Sequence, residues 1–160
     1  MAANVESMFY VRTAPWHGLG TRVIEAPASK DALKLAGLDW QVVQEPIYTG
    51  ADKKEIIECY KATVRDSDRS VLGVVTDRYK IVQNEEAFAF TDELLGEGVR
   101  YETAGSLSGG RKVWLLAHLP HEYIISGERI SPYLVFSNSH NGSGAIKAGS
   151  RPYASAAKTP

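Results

Sequence analysis

From Leu72 to Phe90 the chain reads Leu-Gly-Val-Val-Thr-Asp-Arg-Tyr-Lys-Ile-Val-Gln-Asn-Glu-Glu-Ala-Phe-Ala-Phe. An apolar strand-like run enters a charged turn, and residues at helical spacing follow. Asn84 can cap the helix, Glu85 and Glu86 suit its positive end, and Gly96 or Gly98 stops it. Ala87, Phe88, Thr91, Leu94 and Leu95 fall on one helical face. The order asks for a strand and a helix sharing one core, with Arg78, Tyr79 and Lys80 at the junction.

The flanking sequence supplies hairpins. Ile56 to Arg65 alternates as a strand, Asp66-Ser67-Asp68-Arg69 is a turn whose side chains bond their own backbone, and Ser70 to Val75 returns. Val99 to Leu107 and Lys112 to Leu119 flank Ser108-Gly109-Gly110-Arg111, a second hairpin signal. Trp40 to Tyr48 reads as extended, with Pro46 marking a strand edge or end. Short extended pieces follow around Tyr123 to Ile125, Tyr133 to Asn138 and Ala145 to Lys147. Ser29 is a candidate N-cap for a short helix ended by Gly37. The first 28 residues read as irregular, broken by Pro15, Gly18, Gly20 and Pro27. The expected class is α+β, a mainly antiparallel sheet built from hairpins with one or two helices packed on one face. Residues 1–148 form one expected domain. Residues 149–160, small, polar and Pro-containing, form an expected loosely ordered tail.

Composition narrows the function classes. At 160 residues, 44% hydrophobic and a formal charge of -1, the chain can bury one core and lacks the basic footprint of a DNA-coating protein. Any nucleic-acid contact must come from a local patch. Cys59 is the single cysteine, so no disulfide framework and no Cys-based zinc site are expected. With no run of about 18 apolar residues, the reading is a soluble protein of the cytoplasm with no membrane partner.

Local motifs offer several sites, each with a plainer account. In Trp16-His17-Gly18-Leu19-Gly20, glycines let a backbone approach a ligand and the rings can stack; a tight turn anchored by Trp16 explains the same residues and is preferred. The four histidines lack ligand spacing, so neither metal nor cofactor is expected. Ser139-His140-Asn141-Gly142-Ser143 offers hydroxyls and an imidazole, yet an Asn-Gly turn with His140 exposed is preferred. Cys59, inside a strand, reads as a buried inert thiol. Arg78 and Lys80 flank Tyr79, while Arg111 and Lys112 precede Trp114. Alternating cations and aromatics suit single-stranded nucleic acid, although a sheet with one solvated face produces the same pattern.

The block from Leu72 to Phe90 with Asp92, Trp16-His17-Gly18-Leu19-Gly20, and Ser137-Asn138-Ser139-His140-Asn141-Gly142-Ser143 together resemble a phage/plasmid-like family, domain of unknown function 932. The resemblance covers about residues 8 to 148 and implies the N-terminal part of that family, in a phage, prophage or plasmid. It implies the cytoplasm of a bacterial host. The family has no established activity, so function rests on the residues. The first expectation is a non-enzymatic binder of single-stranded DNA in recombination or replication. Arg78, Lys80, Arg111 and Lys112 would hold phosphates, with Tyr79 and Trp16 stacking on bases. A protein-protein module, such as an anti-defence or assembly factor, is the alternative, and a homo-oligomer is compatible with either. The third is an enzyme with a site near His17, Gly18, His140 and Asn141.

Overall fold

The computed structural model describes residues 4–154 apart from 16, 54, 97, 120 and 145. Ten strands and two helices follow in the order β1 (Val5–Val11), β2 (Thr21–Val23), α1 (Ser29–Leu35), β3 (Val42–Thr49), β4 (Glu55–Arg65), β5 (Val71–Thr76), α2 (Asn84–Leu95), β6 (Arg100–Leu107), β7 (Lys112–His118), β8 (Tyr123–Ile125), β9 (Glu128–Ser139) and β10 (Lys147–Ala154). A large sheet runs β10-β9-β7-β6-β1-β2, with β8 also paired to β9, and a second sheet runs β3-β4-β5. Among the described residues only the β1–β2 pair is parallel. The expected α+β class with a mainly antiparallel sheet is the fold observed.

The helices cover one face of the large sheet. Phe9, Tyr101, Leu115 and Phe136 point from four of its strands into a common core with Ala32 of α1 and Ala87 and Phe88 of α2. Leu38 joins them from the α1–β3 connection. Each buried side chain of this size contributes on the order of 2 kcal/mol. The strands alternate as a one-sided sheet requires: in β7, Val113, Leu115 and Ala117 are buried, while Trp114 and Leu116 between them are half-buried.

Several local expectations are corrected. The first 28 residues are not irregular throughout, because β1 and β2 lie within them. Helix α1 starts at Ser29 with Ala28 in the capping position and no side-chain cap. In α2, Gln83 is the cap, bonded reciprocally with Glu86. That frees Asn84, one residue on, to turn its amide inward. Leu94 is exposed, so the buried stripe is Ala87, Phe88 and Thr91. Gly149 to Ala154 of the expected loose tail pair with β9 in unbroken register, Gly149 opposite Val135 and Ala154 opposite Ile130. Residues 155–160 lie outside the described residues.

The small sheet carries a bulge that alternation alone does not reveal. Pro46 pairs with Lys61 but Ile47 pairs with Ile57, so Glu58, Cys59 and Tyr60 have no register partner on β3. Cys59 takes φ 66° there and is exposed rather than buried. Its carbonyl accepts the Asp77 N–H at 3.0 Å. At the bulge and beyond it the β3–β4 ribbon is exposed, displaying Tyr60 in the bulge and Tyr48, Ile56 and Ile57 past it.

Candidate nucleic-acid interface

The junction after β5 folds back onto the end of β9. The Tyr79 hydroxyl donates to the Ser139 carbonyl at 2.7 Å, and its own carbonyl accepts from the Gln44 amide at 2.8 Å. Burial pushes the Tyr79 phenol up. Ser139 is the register partner of Lys112, and the His140 N–H donates to the Arg111 carbonyl at 2.8 Å. The segment that carries Arg78 and Lys80 and the one that carries Arg111 and Lys112 therefore both meet the end of β9, and all four side chains are exposed. Tyr79 itself is half-buried, its hydroxyl engaged in holding the two segments together.

The Asn138–Gly144 loop is a structural hub. Asn138 donates to the Val82 carbonyl at 3.0 Å, and Thr63 donates to the His140 carbonyl at 2.7 Å. Gly73 lies so close to Asn141 that a Cβ there would stand 2.6 Å from its Cα. Contrary to expectation, His140 is fully buried. Its Nε2 lies 2.9 Å from Asn84 Oδ1, and its ring meets the edge of Trp40 at 5.4 Å. Asn84 Nδ2 donates to the Leu38 carbonyl, so Oδ1 is the atom facing the imidazole. His140 Nδ1 is buried without a hydrogen-bond partner, and burial lowers the imidazole to about 4.

His17 and Gly18 lie elsewhere, in the β1–β2 connection. Their turn is closed by the Gly18 N–H on the Pro15 carbonyl at 2.9 Å, and His17 Nδ1 accepts from the Leu19 N–H at 3.2 Å. Trp16 lies outside the described residues. Among the described residues no three His, Cys, Asp or Glu side chains converge for a metal ion. No helix among them is long and apolar enough to cross a membrane.

A second surface adjoins the cation-rich end, and sequence reasoning did not assemble it. On the sheet face away from the helices, register places Met8, Gly105, Trp114, Ser137 and Lys147 in one row across five strands. Tyr10, Thr103, Leu116 and Val135 form the next row, and His118 pairs with Tyr133 in the one after. Lys112 stands two residues before Trp114 and so shares its face. The Trp114 ring reaches over Gly105, where a Cβ would meet its Cη2 at 2.6 Å. A concave pocket of about 450 Å³ opens here. Thr103, Leu116 and Val135 line it together with Tyr10, Pro15 and Tyr133, and Glu102 is the one charged side chain among its described lining residues. The missed signal was the alternation Lys112, Trp114, Leu116, His118, whose faces become meaningful once the neighbouring strands are known.

Arg65 ties this end to the small sheet. It forks onto Asp68 at 2.9 and 2.6 Å, bonds Glu6 of β1 at 2.8 Å, and lies 5.3 Å above the Trp40 ring. The Asp68 carboxylate holds the guanidinium well above its usual range, and Arg65 in turn holds Asp68 well below the usual carboxylate range.

A family model described as Domain of unknown function (DUF932) matches residues 71–153, just over half of the chain. The match holds Gly73, Tyr79, Asn84 and His140, and continues through most of β10. No curated protein and no solved structure gives a match.

Proposed function

The chain belongs to the DUF932 family, and we propose that it is a non-enzymatic protein that binds single-stranded nucleic acid across the open face of its large sheet. The observation that carries this reading is the row from Met8 to Lys147, which puts Trp114 and Lys147 on one face with Ser137 between them, and Lys112 on the same face two residues before Trp114. Single strands are held where cations follow the backbone and rings stack on bases. Lys112 and Lys147 take phosphates at the face itself, while Arg111, Arg78 and Lys80 extend the positive path around the end of β9. Trp114 adds a stacking ring on the open face to the Tyr79 and Trp16 expected from the sequence. The sequence resemblance supports a phage, prophage or plasmid setting, with the protein acting on single-stranded DNA in a bacterial cytoplasm during recombination or replication.

Fluorescence anisotropy of a labelled oligonucleotide at low and high salt tests the proposal. Binding at low salt that weakens steeply with added salt supports it. No binding at low salt, or binding indifferent to salt, overturns it.

One observation favours a second reading, a protein-protein module. Tyr48, Ile56, Ile57 and Tyr60 are 45, 55, 38 and 48% exposed on the β3–β4 ribbon. An apolar ribbon of this kind suits a protein partner. Purification from the native host with one stoichiometric protein and no nucleic acid would favour it. An enzyme site at His17 and His140 is not proposed, because a fully buried imidazole presents no edge to a substrate.

A further inference from the structure

The pocket on the open face has a chemistry that the cations around it do not share. Its floor and walls are largely apolar and aromatic, and Glu102, a carboxylate, is the one charged side chain among the described residues that line it. The Glu102 carboxylate offers a phosphate nothing, and the cations around the pocket, Arg22 beside Tyr10 as well as Lys112 and Lys147, give it a better place. A nucleobase fits the apolar walls, and the volume of about 450 Å³ accommodates one with room for its sugar. The bases differ in what they can offer an ionised carboxylate, which only accepts hydrogen bonds. Guanine carries two adjacent donors, N1–H and the N2 amino group, matched to the two carboxylate oxygens. Adenine and cytosine place a ring acceptor beside their amino group, and thymine flanks its one N–H with carbonyl oxygens. Each of those three sets a lone pair against the carboxylate.

Resting on the single-strand reading above, we propose that this pocket receives one unstacked guanine, with Glu102 accepting from N1–H and the N2 amino group. The strand then runs with its phosphates along Lys112 and Lys147 and turns a single base in between Tyr10 and Tyr133. Guanine selection therefore arises at one nucleotide, within binding that is otherwise tolerant of sequence. Glu102 is the specificity-determining residue. Its position at the irregularity between Tyr101 and Thr103 of β6 places it in the pocket wall.

The experiment compares thymine oligonucleotides carrying one central dG, dA, dC or dT, by anisotropy at fixed low salt, on the wild-type chain and on Glu102→Gln. A bidentate pair discriminates among bases by about tenfold or more. The wild type is expected to bind the dG strand about tenfold more tightly than the other three. Glu102→Gln, which replaces one acceptor by a donor, is expected to erase that ratio. Free guanosine, which has no phosphate, should shift the NMR resonances of Leu116 and Val135 in the wild type. Equal affinity for all four strands, or a guanine preference that survives Glu102→Gln, overturns the inference while leaving single-strand binding intact. No binding of any strand at low salt overturns the single-strand reading, and this inference with it.

Discussion

His140 Nε2 faces Asn84 Oδ1 across 2.9 Å in a site closed to solvent. Because the Asn84 amide nitrogen is committed to Leu38, the imidazole is the donor in this contact. Nε2 therefore carries the proton, and the unpartnered Nδ1 is bare. Protonating Nδ1 would create a buried charge and a buried donor with no acceptor, the costliest combination for such a group.

Stability should consequently fall on mild acidification. Burial lowers the folded imidazole to about 4, below its ordinary value of 6.5. Between those values the unfolded chain takes up a proton that the folded chain refuses. The stabilisation is complete above 6.5 and is lost progressively as pH falls toward 4, by about 3 kcal/mol in all. Urea unfolding at pH 7, 5.5 and 4.5 measures this. The slope should flatten in His140→Gln; an equal slope in both proteins would place the acid sensitivity elsewhere.

Gly73→Ala tests the contact between the small sheet and the Asn138–Gly144 loop. The added methyl would sit 2.6 Å from Asn141 Cα and 2.7 Å from its Cβ, and a backbone cannot swing aside as a flexible side chain does. Either β5 or the loop must shift, stretching the Thr63–His140 hydrogen bond. The expected cost is about 1–3 kcal/mol, read as a lower urea midpoint. Unchanged stability would mean the two segments separate freely.

Arg65→Lys keeps the charge and removes the fork. The guanidinium makes two bonds to Asp68, one to Glu6 and a cation–π contact with Trp40, which an ammonium group cannot reproduce together. Because Arg65 joins β4 to β1, the loss should loosen the small sheet from the large one. A destabilisation of about 2 kcal/mol is expected, in the range for charged hydrogen bonds. Hydrogen exchange should quicken in β3–β5 before it does in β6 and β7, and uniform acceleration would count against this linking role.

Part of this fold was legible in the sequence because its interactions are local. The β4–β5 and β6–β7 hairpins announce themselves by alternation and turn chemistry, and α2 by its spacing. What was illegible depends on distant partners. Strand β1 is stabilised by pairing with β6, with Phe9 opposite Ala104, so its own neighbourhood showed only the prolines and glycines that follow it. His140 sits in a turn-forming sequence that reads as exposed, yet Trp40 and Asn84 from two other parts of the chain enclose it. Cys59 continues an alternating pattern, and only the register with β3 reveals the bulge that turns it out. For the site, the cations and aromatics were visible one by one. Which of them share a face was not, since that depends on strand order, and Lys147 joins Trp114 only through Ser137.

The cations at the end of β9 give the last test. Lys112 shares the Trp114 face, and the Arg111 carbonyl is fixed by the His140 N–H, so substituting either side chain leaves that backbone bond in place. Both side chains are exposed, and changing them to Ala should alter unfolding stability by less than about 0.5 kcal/mol. Their effect on strand binding should be larger. For single strands each neutralised phosphate contributes about 0.7 to the slope of log affinity against log salt. Arg111→Ala with Lys112→Ala should reduce that slope by about 1.4 and weaken binding to a similar degree for every sequence. Trp114→Ala should instead weaken binding by about 1–3 kcal/mol with little change in slope, since stacking releases no counterions. Anisotropy titrations at four salt concentrations separate the two outcomes. If the double variant keeps the wild-type slope, phosphates do not contact this end of the sheet.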